Sequence, residues 1–321
     1  MLSIKKILFP TDFSACAEQA FSQAAYLAER YDAVLHVLHV AEPSLVLPPL
    51  DLTEADIAAD LHLPQPAALP KKQRGGAGSL LNVEVPPVDG SVERAILAYA
   101  AQEDVDLIVM GTHGRRALDR LLLGSVAGKV VRLAECPVFT VGFEAASWEA
   151  GVARRILAPV DFSEHARLAV AYAKGLAATY GAHLDLLHVI EETALTAAYG
   201  MEPVVVQVPD VEGPAREALE RLVQEVGGPE TPYTVHVSVG QPAHEIADFA
   251  ARQGIDLIVI ATHGLTGIKR LLLGSVAEHV VHRAPCPVFT VKGFGKRLPV
   301  VPTAAEAVKE SSFSIDPPVI S

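Results

Sequence analysis

The chain has 321 residues, 50% of them hydrophobic and only 20% charged, which is enough for two domains with full cores and excludes a disordered or fibrous chain. A formal net charge of −12 excludes broad binding to nucleic acid or to an anionic membrane surface, since both need a basic face. Three cysteines, two of them in Cys-Pro-Val triplets at 136 and 286, point to packing thiols in a reducing, cytoplasmic setting rather than to a disulfide framework.

Lys5 and Lys6 precede an apolar run that Asp12 cuts short, so the run does not read as a signal peptide, and no stretch reaches membrane-spanning length. Ile4 to Phe9 reads as a strand ended by Pro10. Ser14 to Tyr31 reads as a helix, with Ala17, Ala20, Phe21, Ala24, Leu27 and Ala28 on one face. Val34 to Val40 is a second strand, whose His36 and His39 read as buried histidines satisfied by neighbours. From Glu42 to Gly78 six prolines leave room only for a short helix around Thr53 to Asp60. Leu81 to Val85 resumes as a strand. A turn at Gly90 leads to a helix over Val92 to Ala101 with Ile96 and Leu97 inward. A fourth strand over Asp106 to Met110, a glycine loop, a helix over Val126 to Arg132 and a fifth strand over Pro137 to Val141 complete the first half.

The second half repeats this order. Its strands are expected at Arg155 to Val160, His183 to Ile190, Tyr233 to Val239, Asp256 to Ile260 and Pro287 to Val291. Its helices are expected at Ser163 to Tyr180, around Pro214 to Val226, at Ala243 to Gln253 and at Val276 to Arg283. Residues 120–141 match residues 270–291 at 17 of 22 positions, and the offset of about 150 residues is that of a domain rather than a solenoid repeat. Strands alternating with helices predict two α/β domains, each a doubly wound parallel sheet with helices on both faces. Their expected limits are 1–142 and 154–292, with a linker at 143–153. The tail at 293–321, which lacks a core-facing period, is expected to be extended or mobile.

One stretch occurs in both halves. Gly111-Thr112-His113-Gly114, nine residues, then Gly124-Ser125 answers to Ala261-Thr262-His263-Gly264, nine residues, then Gly274-Ser275. Strand, glycine loop and helix start together suit a phosphate, because freed amides at a helix N-terminus carry partial positive charge and glycines allow close approach. Ser125 and Ser275 offer an amide and a hydroxyl, and Arg115 is a nearby donor. His113 and His263 could serve the ligand, face solvent or bond the loop. A plain helix cap is the competing reading, since Ser275 with Glu278 has the spacing of a capping box. A cap alone does not explain the fixed nine-residue gap. Ala261 in place of Gly111 predicts a weaker second site if that position needs positive φ, at about 1 kcal/mol.

The motif resembles that of the universal stress protein family, whose nucleotide-binding members carry GxxG, nine residues, then Gly-Ser or Gly-Thr. The likeness extends to Ile7 through Ser14 and Ile156 through Ser163, each ending a strand on an aspartate, and to Leu38-His39-Val40 and Leu187-His188-Val189. The resemblance implies a five-stranded parallel sheet of order 3-2-1-4-5, with nucleotide across the carboxyl ends of the first and fourth strands. Pro10, Thr11 and Asp12, and in the second half Pro159, Val160 and Asp161, would sit by the adenine or ribose. Val40 and Val189 would contact the base. Gly111, Gly114, Gly124, Ser125 and Val126, with Ala261, Gly264, Gly274, Ser275 and Val276, would form the phosphate sets.

The implied ligand is ATP, or AMP or ADP, with Mg2+. The implied role is a nucleotide-dependent stress-response regulator with an unidentified protein partner, at most a slow ATPase. The fifth strands would pair within the chain as a pseudo-dimer able to associate into a homodimer. An interaction module that does not use nucleotide is one competing function. An adenine-nucleotide enzyme such as an adenylating ligase is another, although neither a His-Ile-Gly-His motif nor a serine-glycine loop after the first strand is present.

Overall fold

The computed structural model describes residues 2–41, 80–113, 123–142, 151–191, 211–262 and 273–300. The strands of the first half are β1 (Lys6–Thr11), β2 (Val34–Val40), β3 (Leu80–Val85), β4 (Leu107–Gly111) and β5 (Val138–Val141). Those of the second are β6 (Arg155–Pro159), β7 (His183–Glu191), β8 (Tyr233–Gly240), β9 (Leu257–Ala261) and β10 (Val288–Val291). The helices are α1 (Ala15–Tyr31), α2 (Val92–Gln102), α3 (Ser125–Leu133), α4 (Glu164–Tyr180), α5 (Glu212–Glu225), α6 (Pro242–Gln253) and α7 (Ser275–Arg283). The helix expected around 53–60 and the linker residues 143–150 lie outside the described residues.

All ten strands form one sheet of order β3-β2-β1-β4-β5-β10-β9-β6-β7-β8. Each half therefore has the order 3-2-1-4-5, parallel within itself, and the halves meet where β5 and β10 pair antiparallel, Phe289 opposite Phe139. The expected pairing of the fifth strands within the chain is thus present. Symmetric bonds reinforce this seam: the Thr140 hydroxyl donates to the Val288 carbonyl at 3.1 Å, and that of Thr290 to Val138 at 3.0 Å.

Strand residues alternate between two cores, as a sheet covered on both faces requires. Ile7, Phe9, Leu107, Val109, Phe139 and Phe289 face α1, α4 and α5. Leu8, Ile108, Met110, Val138, Ile258 and Val288 face α2, α3, α6 and α7. Cys136 and Cys286 belong to the second core, and burial raises both thiols, that of Cys136 to about 12. These cysteines pack; the three described thiols are free.

Helices α1 and α4 start alike. Ser14 and Ser163 are N-caps whose side chains accept from the amides of Ala17 and Ala166, and Asp32 and Gly181 close the two C-termini in the left-handed conformation.

His36 is buried and bonded to the Tyr99 hydroxyl at 2.8 Å, as the sequence predicts, and burial holds its pKa below the usual value. The equivalent position on β7 is Asp185, fully buried. Arg155 grips it with Nε at 3.0 Å and Nη2 at 2.7 Å, and His236 Nε2 stands 2.9 Å away. Removing the carboxylate strands the guanidinium between strands. Asp185→Ala is expected to destabilise the protein by about 3 kcal/mol in urea unfolding, at the low end for a broken buried pair because Arg155 keeps some contact with water. A loss below about 1 kcal/mol would show that the cluster is relaxed by solvent.

The tail departs from the sequence reading. Residues 292–300 bend at 293–295 and are packed: Leu298 is buried with its amide on the Tyr172 hydroxyl, and Leu2 bridges Val300. Lys296 ties this strap to the first half through Asp104 and Asp106, both at 2.8 Å. A single buried leucine has no period to read, so the strap is invisible in the pattern. Residues 301–321 lie outside the described residues.

Candidate functional site

The site begins where strands part. Registered pairing of β1 with β4 covers only Ile7 with Leu107 and Leu8 with Ile108, yet β1 continues to Thr11 and β4 to Gly111. Pairing of β1 with β2 runs on to Thr11. The sequence reading ended the first strand before Pro10, but Pro10 lies inside β1, at the point where β4 has left. Proline has no N–H to donate there, so the splay leaves no ladder bond broken. Pro159 does the same in the second half, where β6 pairs with β9 only at Ile156 and Leu157. These crevices lie at the carboxyl ends of the strands where the order reverses, the position at which open α/β sheets bind ligands.

Asp12 and Asp161 follow the strand ends. Each accepts, through Oδ1, the amide two residues on, Ser14 at 3.0 Å and Ser163 at 3.0 Å, and Asp161 also takes the Ser163 hydroxyl at 2.6 Å. The helix-terminal role is therefore real for both. Between each aspartate and its cap stands a phenylalanine, Phe13 or Phe162, at φ 61°. A non-glycine residue there carries strain of about 1–2 kcal/mol, and the same strain in both halves turns the chain sharply at the crevice.

The rings of these two residues pack on His39 and His188 at centroid distances of 4.9 and 4.6 Å. The histidines in turn bond the carbonyls of Thr11 at 3.0 Å and Val160 at 2.8 Å. This Phe-His pair is a site feature that the sequence reading missed. Its trace was the repeated Asp-Phe-Ser and Leu-His-Val. Val40 closes β2 with its side chain buried in the core, and Val189 on β7 packs partly against the same core.

The opposite wall is a closed neck. The Gly124 amide donates to the Thr112 carbonyl at 2.8 Å, and the Gly274 amide to that of Thr262 at 2.8 Å. A Cβ on Gly124 would stand 2.7 Å from that oxygen, and one on Gly274 would stand 3.1 Å away. The chain thus leaves and re-enters the strand end at one point, and α3 and α7 start there. Gly124 and Gly274 are the N-caps, with no side-chain cap bond, so the capping box read from Ser275 and Glu278 is not formed. Ser125 and Ser275 are instead the first helical residues, exposed, with Val126 and Val276 half-buried behind them. Uncapped first-turn amides beside a serine hydroxyl are the groups an anion requires.

Gly111 is not a left-handed residue. Its missing side chain makes room for α1: a Cβ there would lie 3.0 Å from the Cys16 carbonyl carbon and sulfur. Ala261 packs its methyl against the core, and the residue at the position equivalent to Cys16 is His165. The φ-based reason for a weaker second site is therefore overturned. His113 bonds the Thr112 hydroxyl through Nδ1 at 2.7 Å, and its Nε2 is buried without a partner among the described residues. Gly114, Arg115, His263 and Gly264 lie outside the described residues. A cavity of about 370 Å3 lies elsewhere, between α2 and α3 beneath Lys296, and touches neither neck.

The sequence profile of the Universal stress protein family matches residues 3–142 and again residues 153–292. The chain belongs to the universal stress protein family. A universal stress protein of Mycolicibacterium smegmatis is 28% identical over 302 residues, covering 89% of this chain and 96% of its own length. One from Mycobacterium tuberculosis is 30% identical over 194 residues, which are 59% of this chain and only 62% of that relative's length. The fold agrees with the crystal structure of a universal stress protein from Archaeoglobus fulgidus, at a TM-score of 0.61 and 23% identity, covering 92% of this chain and 98% of that one. As a tandem universal stress protein, the chain carries the strand-end neck twice. Among the described residues no group of three or more His, Cys, Asp or Glu side chains could hold a metal ion. No helix among them is long and apolar enough to cross a membrane.

Proposed function

We propose that this universal stress protein binds ATP in each half and acts in the cytoplasm as a nucleotide-dependent regulator of the stress response, at most with slow hydrolysis. The observation that carries the reading is the glycine neck. Gly124 and Gly274 are held at 2.8 Å to Thr112 and Thr262, which starts α3 and α7 at the ends of β4 and β9 and supports a phosphate site there. Phosphates would rest on those amides with Ser125 and Ser275, and the adenosine end would lie toward Asp12 and Val40, or Asp161 and Val189. Mg2+ would arrive with the phosphates and supply charge neutralisation there. An unidentified protein partner, or a second copy of the chain, would read the nucleotide state.

Mass spectrometry of ligand released from freshly purified protein, with moles per chain, tests this. The expected result is adenine nucleotide at one to two moles per chain. No copurifying nucleotide, together with no uptake of Mg-ATP by the stripped protein, would favour an interaction module. Rapid turnover with a second substrate would favour an enzyme.

A further inference from the structure

A side chain of the second half reaches the residue just ahead of the first neck. Leu123, directly ahead of Gly124-Ser125, donates its amide to Nδ1 of His282 at 3.2 Å. His282 lies in the last turn of α7, whose first residue is Ser275 of the other site. An imidazole nitrogen accepts only when it carries no proton, so the ring must be neutral with its hydrogen on Nε2. The residue 150 positions earlier is Arg132. A guanidinium has five donors and no acceptor, so Arg132 cannot return the bond to Leu273. It turns instead to Glu278, at 3.0 Å. The pseudo-symmetric halves are thus chemically unequal at this contact.

We propose that His282 is a positioning residue for the first nucleotide site, acting from the second half by holding the Leu123 amide, and that the second site has no equivalent hold. The proposal rests on the nucleotide reading above. A neck fixed before the ligand arrives loses less freedom on binding, so the first site is the tighter of the two. Protonation of His282 turns Nδ1 into a donor facing another donor and releases the Leu123 amide.

The groups facing His282 are Glu278 and His279 on its own helix and His113 just beyond β4, with Arg132 of α3 paired to that same Glu278. Burial and His113 hold the ring below its usual 6.5, against Glu278. A group with a lowered folded pKa contributes fully above 6.5, and its contribution is lost as pH falls through the folded value. First-site affinity is therefore steady at neutral pH and falls under acid.

Mg-ATP is titrated calorimetrically into the full chain, His282→Asn and His282→Leu, at pH 5.5 and pH 8. Asparagine places a carbonyl oxygen where Nδ1 stands and does not titrate. The expected result is two classes of site in the native chain. In His282→Leu the tighter class weakens about fivefold, the effect of one hydrogen bond. His282→Asn restores that affinity and shows a shallower pH dependence than the native chain. Unchanged affinity in His282→Leu, or equal weakening of both classes without rescue by asparagine, overturns the proposal.

Amide hydrogen exchange at Leu123 without ligand reads the bond itself, and is expected to accelerate in His282→Leu but not in His282→Asn. A native chain that takes up no Mg-ATP overturns the nucleotide reading and, with it, the positioning role. Exchange at Leu123 that is equal in all three chains overturns the contact alone.

Discussion

Phe289→Ala is expected to lower stability by about 3–5 kcal/mol, the range for deleting a buried aromatic side chain, and to do so at the seam between the halves. Phe289 and Phe139 are fully buried and directly opposed across the antiparallel pair, their rings edge to face at 6.1 Å and 88°. Tyr172 of α4 packs edge-on against Phe289 from the helix side, at 6.3 Å and 82°. Both strands at the seam are only four residues long, so this cluster fills the core exactly where the ladder is shortest. Urea unfolding followed by circular dichroism checks the prediction. The midpoint should fall, and the transition should broaden or split as the halves lose their common core. Leu81→Ala, at an exposed position on outer strand β3, should stay within about 0.5 kcal/mol of the native chain. A loss at Phe289 below about 1 kcal/mol would mean that the two halves are held elsewhere.

Elements set by local pattern were legible in the sequence. Apolar runs bounded by glycine and proline gave the strands within one or two residues, and duplication of the glycine stretch gave two equivalent necks. The seam was legible too, through the resemblance to a family whose fifth strands pair, which would cover the edge each repeated strand leaves. What escaped depends on neighbours distant in the chain. The glycine at 111 reads locally as a turn residue, and only the approach of Cys16 shows that it is a packing residue. Ser275 and Glu278 have capping-box spacing, but the neck bond at Thr262 makes Gly274 the cap and leaves Glu278 to cross the seam to Arg132. His282 looks like an ordinary basic residue at a helix end, and its hold on Leu123 spans 159 positions. Spacing names the residue types a site uses; tertiary contacts decide which of them face the ligand.

The neck gives the largest expected functional effect. Gly124→Ala is expected to weaken Mg-ATP binding at the first site at least tenfold, about 1.4 kcal/mol or more. The added methyl would lie 2.7 Å from the Thr112 carbonyl oxygen, closer than a real Cβ tolerates, and the obstructing atom is backbone that cannot swing aside. That oxygen also accepts the Gly124 amide at 2.8 Å, so relieving the clash lengthens the bond that starts α3 at the crevice. The first-turn amides then lose their aim even though no ligand-facing group has been removed. At Gly274 the corresponding distance is 3.1 Å, within reach of a shift of a few tenths of an ångström, so Gly274→Ala should weaken its own site by only about two- to threefold, on the order of 0.5 kcal/mol. Calorimetric titration of both variants separates the classes, and thermal unfolding shows whether the rest of each half is intact. Equal affinities in Gly124→Ala and the native chain would remove the neck from the binding site. A larger effect at Gly274 than at Gly124 would mean that the second loop, without a histidine to hold it, depends on its glycine more than the first does.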